Sequence, residues 1–120
     1  MIISIEGIDC SGKTTAFERI SDNLNSSIGN LLLTREPTNL WTGKQVRTNI
    51  ADGSTHPVDV LCLFLADHNL HYNSCIKPAL KNNSVVITDR YVDSRYAYQA
   101  AELQDQITTD PLEYLRTLQE

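Results

Sequence analysis

"EGIDCSGKTT", residues 6–15, stands between an apolar run at residues 2–5 and a stretch of helical spacing. Gly7, four residues, Gly12, Lys13 and Thr14 have the spacing of a phosphate-binding loop. A triphosphate needs many donors converging on a small volume, and glycines let backbone N–H groups approach without an intervening side chain. Lys13 adds a point charge, Thr14 offers a hydroxyl to Mg²⁺, and the following helix turns its positive dipole end toward the anion. Ile8, Asp9, Cys10, Ser11 and Thr15 complete the wall of this expected site. Cys10 reads as a small loop residue, because nothing beside it resembles a base or a metal-ligand set.

Outward from the loop, Ala16, Phe17, Ile20 and Leu24 recur at helical spacing and predict a helix over 13–24. A second strand is expected at 30–34, closed by Pro37, and a third at 85–88, where Val85, Val86, Ile87 and Thr88 are rich in β-branching. Between them the pattern predicts a short helix over 44–50 ending near Asp52-Gly53, a longer one over 58–72, and a segment 74–80 kinked or bounded at Pro78. Helices over 93–103 and 111–118 follow, the latter capped by Asp110 with Pro111 in its first turn. Strands alternating with helices imply an α/β domain with a parallel sheet.

The third strand leads into "TDRYVDSRYAYQ", residues 88–99. Ligands of open parallel sheets bind beyond the carboxyl ends of the strands, so Asp89 and Arg90 are expected beside the loop at 7–14. Arg90 has the planar fork to bridge two phosphates, and Asp89 can hold Mg²⁺-bound water or an acceptor group. Thr34-Arg35-Glu36-Pro37 ends the second strand and should reach the same edge.

Composition bounds these readings. The 120 residues are 41% hydrophobic and 21% charged, in keeping with one globular domain. A net charge of −5 argues against nucleic acid as the main partner. Three cysteines at no metal-like spacing, with no secretory leader or long apolar span, suggest a reduced, cytoplasmic protein without membrane association.

"IEGIDCSGKTT", "LLLTREP", "LCLFLAD" and "DRYVDSRYAYQ", in this order, resemble thymidylate kinases, which phosphorylate dTMP with ATP to give dTDP. The resemblance covers the whole chain. It implies a three-layer P-loop NTPase fold, ATP and Mg²⁺ as cofactors, nucleotides as partners, and a homodimer built through helices. By the same resemblance Lys13, Asp89 and Arg90 are catalytic, and Thr14 and Asp89 serve the metal. Asp9 would lie near the sugar 3′-hydroxyl, and Arg35, Arg47 and Arg90 near the acceptor phosphate. Phe64 would stack on thymine, Gln99 would read its N3–H and O4 edge, and Tyr98 would pack beside the sugar. Asp9 as a turn residue, Arg47 as a solvated charge, and Phe64 and Tyr98 as core residues, remain the alternatives.

Two positions depart from the family pattern. His68 stands where an arginine is usual, either as a weaker, pH-dependent contact to the base or as a solvated helix residue. Arg95 replaces a small polar residue and brings charge close to the pocket. Family members also continue past a helix like 110–118 with another strand and an arginine-bearing lid, whereas residues 8–11 contain no arginine. The expectation is that residues 1–120 alone bind nucleotide but barely catalyse. A non-catalytic nucleotide-binding module, or a related kinase for another nucleoside or nucleotide, are the competing readings.

Overall fold

Strands too short to stand alone need partners on both sides, and the third strand has them. In the computed structural model, which describes residues 1–25 and 27–119, β1 (Ile2–Ile5), β2 (Leu31–Arg35) and β3 (Val85–Asp89) form one parallel sheet in the order β1-β3-β2. Val86, Ile87 and Thr88 are fully buried although successive strand residues point to opposite faces, so β3 is covered on both sides. Ile5 and Arg35 both stand opposite Asp89, which brings the three strand ends level, as the strand-end reading expected. The second strand begins one residue later than its apolar run, because Asn30 lies outside the ladder and offers its carbonyl to the Val85 N–H at 2.9 Å.

The helices are α1 (Lys13–Asn25), α2 (Trp41–Asp52), α3 (Pro57–His71), α4 (Lys77–Lys81), α5 (Val92–Leu103) and α6 (Pro111–Gln119). A π-helical turn, Tyr72–Ile76, joins α3 to α4, and the Lys77 N–H reaches back to the Tyr72 carbonyl. This wide turn is the boundary that Pro78 signalled: proline removes a donor and crowds the preceding turn. The cap before α6 is also as expected, with Asp110 Oδ1 accepting from the Glu113 N–H at 2.9 Å. Among the described residues no helix is long and apolar enough to cross a membrane.

One helix differs from its sequence pattern. α2 starts at Trp41 rather than Lys44, because tertiary contacts organise the turn before it. Thr38 Oγ1 accepts the Leu40 N–H at 3.1 Å, and the Leu40 carbonyl accepts the Lys44 N–H at 3.0 Å. Gly43 lies so close to this turn that an added Cβ would come within 2.1 Å of the Thr38 carbonyl oxygen. Gly53, at φ 68°, ends the helix as its sequence suggested.

Leu61, Leu103 and Leu115 form a buried cluster where α3, α5 and α6 meet. A polar cluster joins the other side of α3 to the segment after β2. Asp67, 1% exposed, accepts from the Thr38 N–H at 2.8 Å, from the Thr38 hydroxyl at 2.5 Å and from the Thr42 hydroxyl at 2.6 Å. A buried carboxylate is tolerable only with such a set of donors. Asp67→Ala orphans all three donors, and urea denaturation is expected to show a loss of about 2–4 kcal/mol. A change within about 0.5 kcal/mol would mean the network adds little.

Candidate active site

The loop after β1 folds tightly enough to require unusual backbone angles. Gly7 and Gly12 sit at φ 153° and 87°, and Cys10 takes φ 62°. At Gly7 a Cβ would come within 2.9 Å of Ser11 Oγ. The Ala16 N–H bonds the Gly12 carbonyl at 3.0 Å, so the amides of Lys13, Thr14 and Thr15 precede the first bonded amide of α1. Lys13 Nζ donates to the Ile8 carbonyl at 2.7 Å, which holds its charge over the loop.

Arg90 ties this loop to the end of β3. Its Nη1 donates to the Gly7 carbonyl at 3.0 Å and to Ser94 Oγ at 3.2 Å, while Nη2 pairs with Asp9 Oδ1. Ser94 Oγ also donates to Glu6 Oε2. The guanidinium lies 5.2 Å from the centre of the Tyr98 ring, within cation–π range. Arg90 has φ 67°, uncommon for a side chain with a Cβ, and its backbone is held by its N–H on the Ile5 carbonyl and its carbonyl under Thr88 Oγ1.

Asp89 Oδ1 and Glu6 Oε1 are buried and have no hydrogen-bond partner among the described residues. Thr14, at the start of α1, is exposed. Oxygens of these kinds are the ligands hard divalent cations take, although no cluster of three or more His, Cys, Asp or Glu that could hold a metal is present among the described residues.

Beside the loop opens a cleft of about 240 Å³. Asp9, Phe64, Arg90, Tyr98 and Gln99 line it together, and Arg95 enters its wall at 5% exposure. Phe64 is half-buried and Tyr98 41% exposed, so neither is a sealed core residue. Arg35 is exposed at the end of β2 and does not line the cleft. Arg47, also exposed, reaches only its rim, where Nη1 donates to the Pro37 carbonyl at 3.0 Å. His68 lies outside the cleft lining and binds Glu36 instead, with its ring 5.0 Å from that of Tyr91.

Sequence reasoning assigned no role to Glu36, Tyr91, Ser94 or Glu102, all of which line the cleft. Glu36 carried a signal: a carboxylate immediately before a proline at the end of the second strand. Its Oε1 meets Nδ1 of His68 and Nδ1 of His71, each at 2.9 Å, and His71 Nε2 meets Thr34 Oγ1 at 2.6 Å. Burial pushes the Glu36 carboxyl up, but hydrogen bonds and charge from the two histidines outweigh it and hold the group below its ordinary value. Burial also pushes Tyr91 up, reinforced by Glu36, and pushes Arg95 down, opposed by Glu36.

A folded-state value below the unfolded one means that Glu36 stabilises the protein above its ordinary carboxylate range and loses this as pH falls through the depressed value. The stability difference between parent and Glu36→Gln is therefore expected to shrink between about pH 5 and pH 3. Urea midpoints measured across that range check it; a constant difference would contradict the coupling to the histidines.

Residues 5–111 match the family model described as thymidylate kinase. The chain is 41% identical over 120 residues to a probable thymidylate kinase of Natronomonas pharaonis, spanning all of this chain and 60% of that one. It is 45% identical over 120 residues to a probable thymidylate kinase of Methanoculleus marisnigri, spanning 57% of its length. A solved thymidylate kinase from Ehrlichia chaffeensis superposes with a TM-score of 0.81 at 34% identity, covering 98% of this chain and 67% of that one. The chain thus spans about 60% of the length of the curated relatives it matches. With the loop, the level strand ends and the cleft in one place, the chain belongs to the thymidylate kinase family.

Proposed function

We propose that this chain supplies the nucleotide-binding core of a kinase that transfers the γ-phosphoryl group of ATP to dTMP, giving dTDP and ADP. The position of Arg90 carries the reading: one guanidinium touches the phosphate loop at the Gly7 carbonyl and also lines the cleft beside Tyr98. A cation at the junction of a donor loop and an acceptor cleft stands where negative charge shifts during transfer.

In this reading the loop amides and Lys13 hold the donor's phosphates. A phosphate oxygen of dTMP forms the new bond to the γ-phosphorus as the bond to the β,γ-bridging oxygen breaks, and the leaving electron pair stays on ADP. Arg90 neutralises charge on both sides, and Arg35 and Arg47 raise the local concentration of the anionic acceptor from the rim. Asp89 and Thr14 would hold Mg²⁺, which supplies charge neutralisation for the donor phosphates when bound. Phe64 offers a ring face to the base, Asp9 an acceptor for the sugar 3′-hydroxyl, and Tyr98 a flank that leaves little room for a 2′-hydroxyl. His68 acts through Glu36 rather than on the base.

Equilibrium dialysis tests the two subsites separately. Phe64→Ala is expected to weaken dTMP binding by about 1–3 kcal/mol through lost stacking and to leave Mg²⁺-ATP binding unchanged. Equal losses for both ligands would make Phe64 a packing residue, and failure of the parent to bind dTMP would overturn the reading. In a protein extended to the full length of its relatives, the rate at which dTDP forms from Mg²⁺-ATP and dTMP is expected to fall about 100-fold or more in Lys13→Ala. An unchanged rate would remove the loop from the reaction.

A further inference from the structure

Gln99 is 2% exposed, yet its Oε1 is buried without a hydrogen-bond partner among the described residues. One of the two N–H donors on its other amide atom is committed: Nε2 donates to Glu102 Oε2 at 2.8 Å. Residues 99 and 102 lie one turn apart on the same face of α5, and both line the cleft. A glutamine amide can present either end to a ligand, because its two ends have nearly the same shape. An ionised carboxylate only accepts, so the end facing Glu102 has to be the NH₂ group and the remaining end has to be the oxygen.

We propose that Glu102 is a positioning residue that locks Gln99 as an acceptor, so that the cleft selects a nucleobase presenting a ring N–H. The inference rests on the dTMP reading and sharpens it. Thymine carries one N–H on its ring edge, at N3, and that group can satisfy the buried Gln99 oxygen. Cytosine has a lone pair at N3, which would oppose the oxygen, and its only edge donor, the exocyclic N4 amine, reaches that oxygen only if the base shifts from the position thymine takes. Sites built around such a polar contact reject the mismatched partner far more strongly than shape alone does. Glu102 performs this through Gln99.

The test is the ratio of dissociation constants for dTMP and dCMP, measured by calorimetry on the chain and on Glu102→Gln and Glu102→Asp, with circular dichroism confirming the fold of each. The parent is expected to prefer dTMP. Glu102→Gln, nearly equal in shape but able to donate or accept, lets Gln99 turn over, and the preference is expected to fall about 10-fold or more. Glu102→Asp keeps an acceptor-only group and is expected to retain the direction of the preference. A structural role for Glu102 would weaken both nucleotides together and leave the ratio unchanged. A selective parent with an unchanged ratio in Glu102→Gln overturns this inference while the dTMP reading stands. A parent that binds neither nucleotide overturns both.

Discussion

Asp89 stands opposite Ile5 on one side and Arg35 on the other, and this level register at the carboxyl end of the sheet is the constraint from which the site follows. Parallel strands bonded in register release their chains side by side. Glu6 and the phosphate loop, Arg90, and Glu36 with Pro37 therefore leave the sheet at the same height. A slip of one residue in either ladder would turn the side chains of that strand to opposite faces and separate the groups that now share a cleft. The fully buried centre of β3 makes such a slip costly.

The register alone does not aim Arg90. A positive φ at a residue with a Cβ is unfavourable by about 1 kcal/mol or more and persists where its surroundings over-determine it. Here the surroundings do so: Ile5 and Thr88 hold the backbone, while Gly7, Asp9 and Ser94 hold the guanidinium. The local distortion turns a strand-end arginine back over the loop. A charge fixed before the ligand arrives needs little reorganisation when charge moves, which is the condition for electrostatic catalysis.

The second wall of the cleft depends on α3. Phe64, Asp67, His68 and His71 follow at spacings of three, one and three residues and so share one face of the helix. Asp67 binds Thr38 and Thr42, and His68 and His71 bind Glu36. These contacts clamp the segment after β2 against the helix that carries Phe64. Position of the aromatic and position of the Glu36–Pro37 wall are thereby coupled, through polar groups buried at the join rather than through apolar packing. The leucine cluster with α5 and α6 does the apolar work elsewhere.

Local chemistry was enough to read much of this from the sequence. Glycine spacing with Lys13 and Thr14 identified the loop, short apolar runs identified strands, and the caps at Gly53 and Asp110 placed helix ends, because each depends on residues within a few positions of one another. The four motifs carried the family, and Phe64, Arg90, Tyr98 and Gln99 from two of them line one cleft. What depended on distant residues was not legible. The start of α2 is set by its close approach to Thr38, and His68 turns to Glu36, thirty-two positions earlier, instead of to the cleft. Glu102 drew no reading from the sequence, and only the packing of α5 sets it beside Gln99 in the cleft wall. Sequence determined which chemistry the chain carries; the tertiary structure decided which side chains face one another, since a partner's direction and burial are set only when separate elements pack.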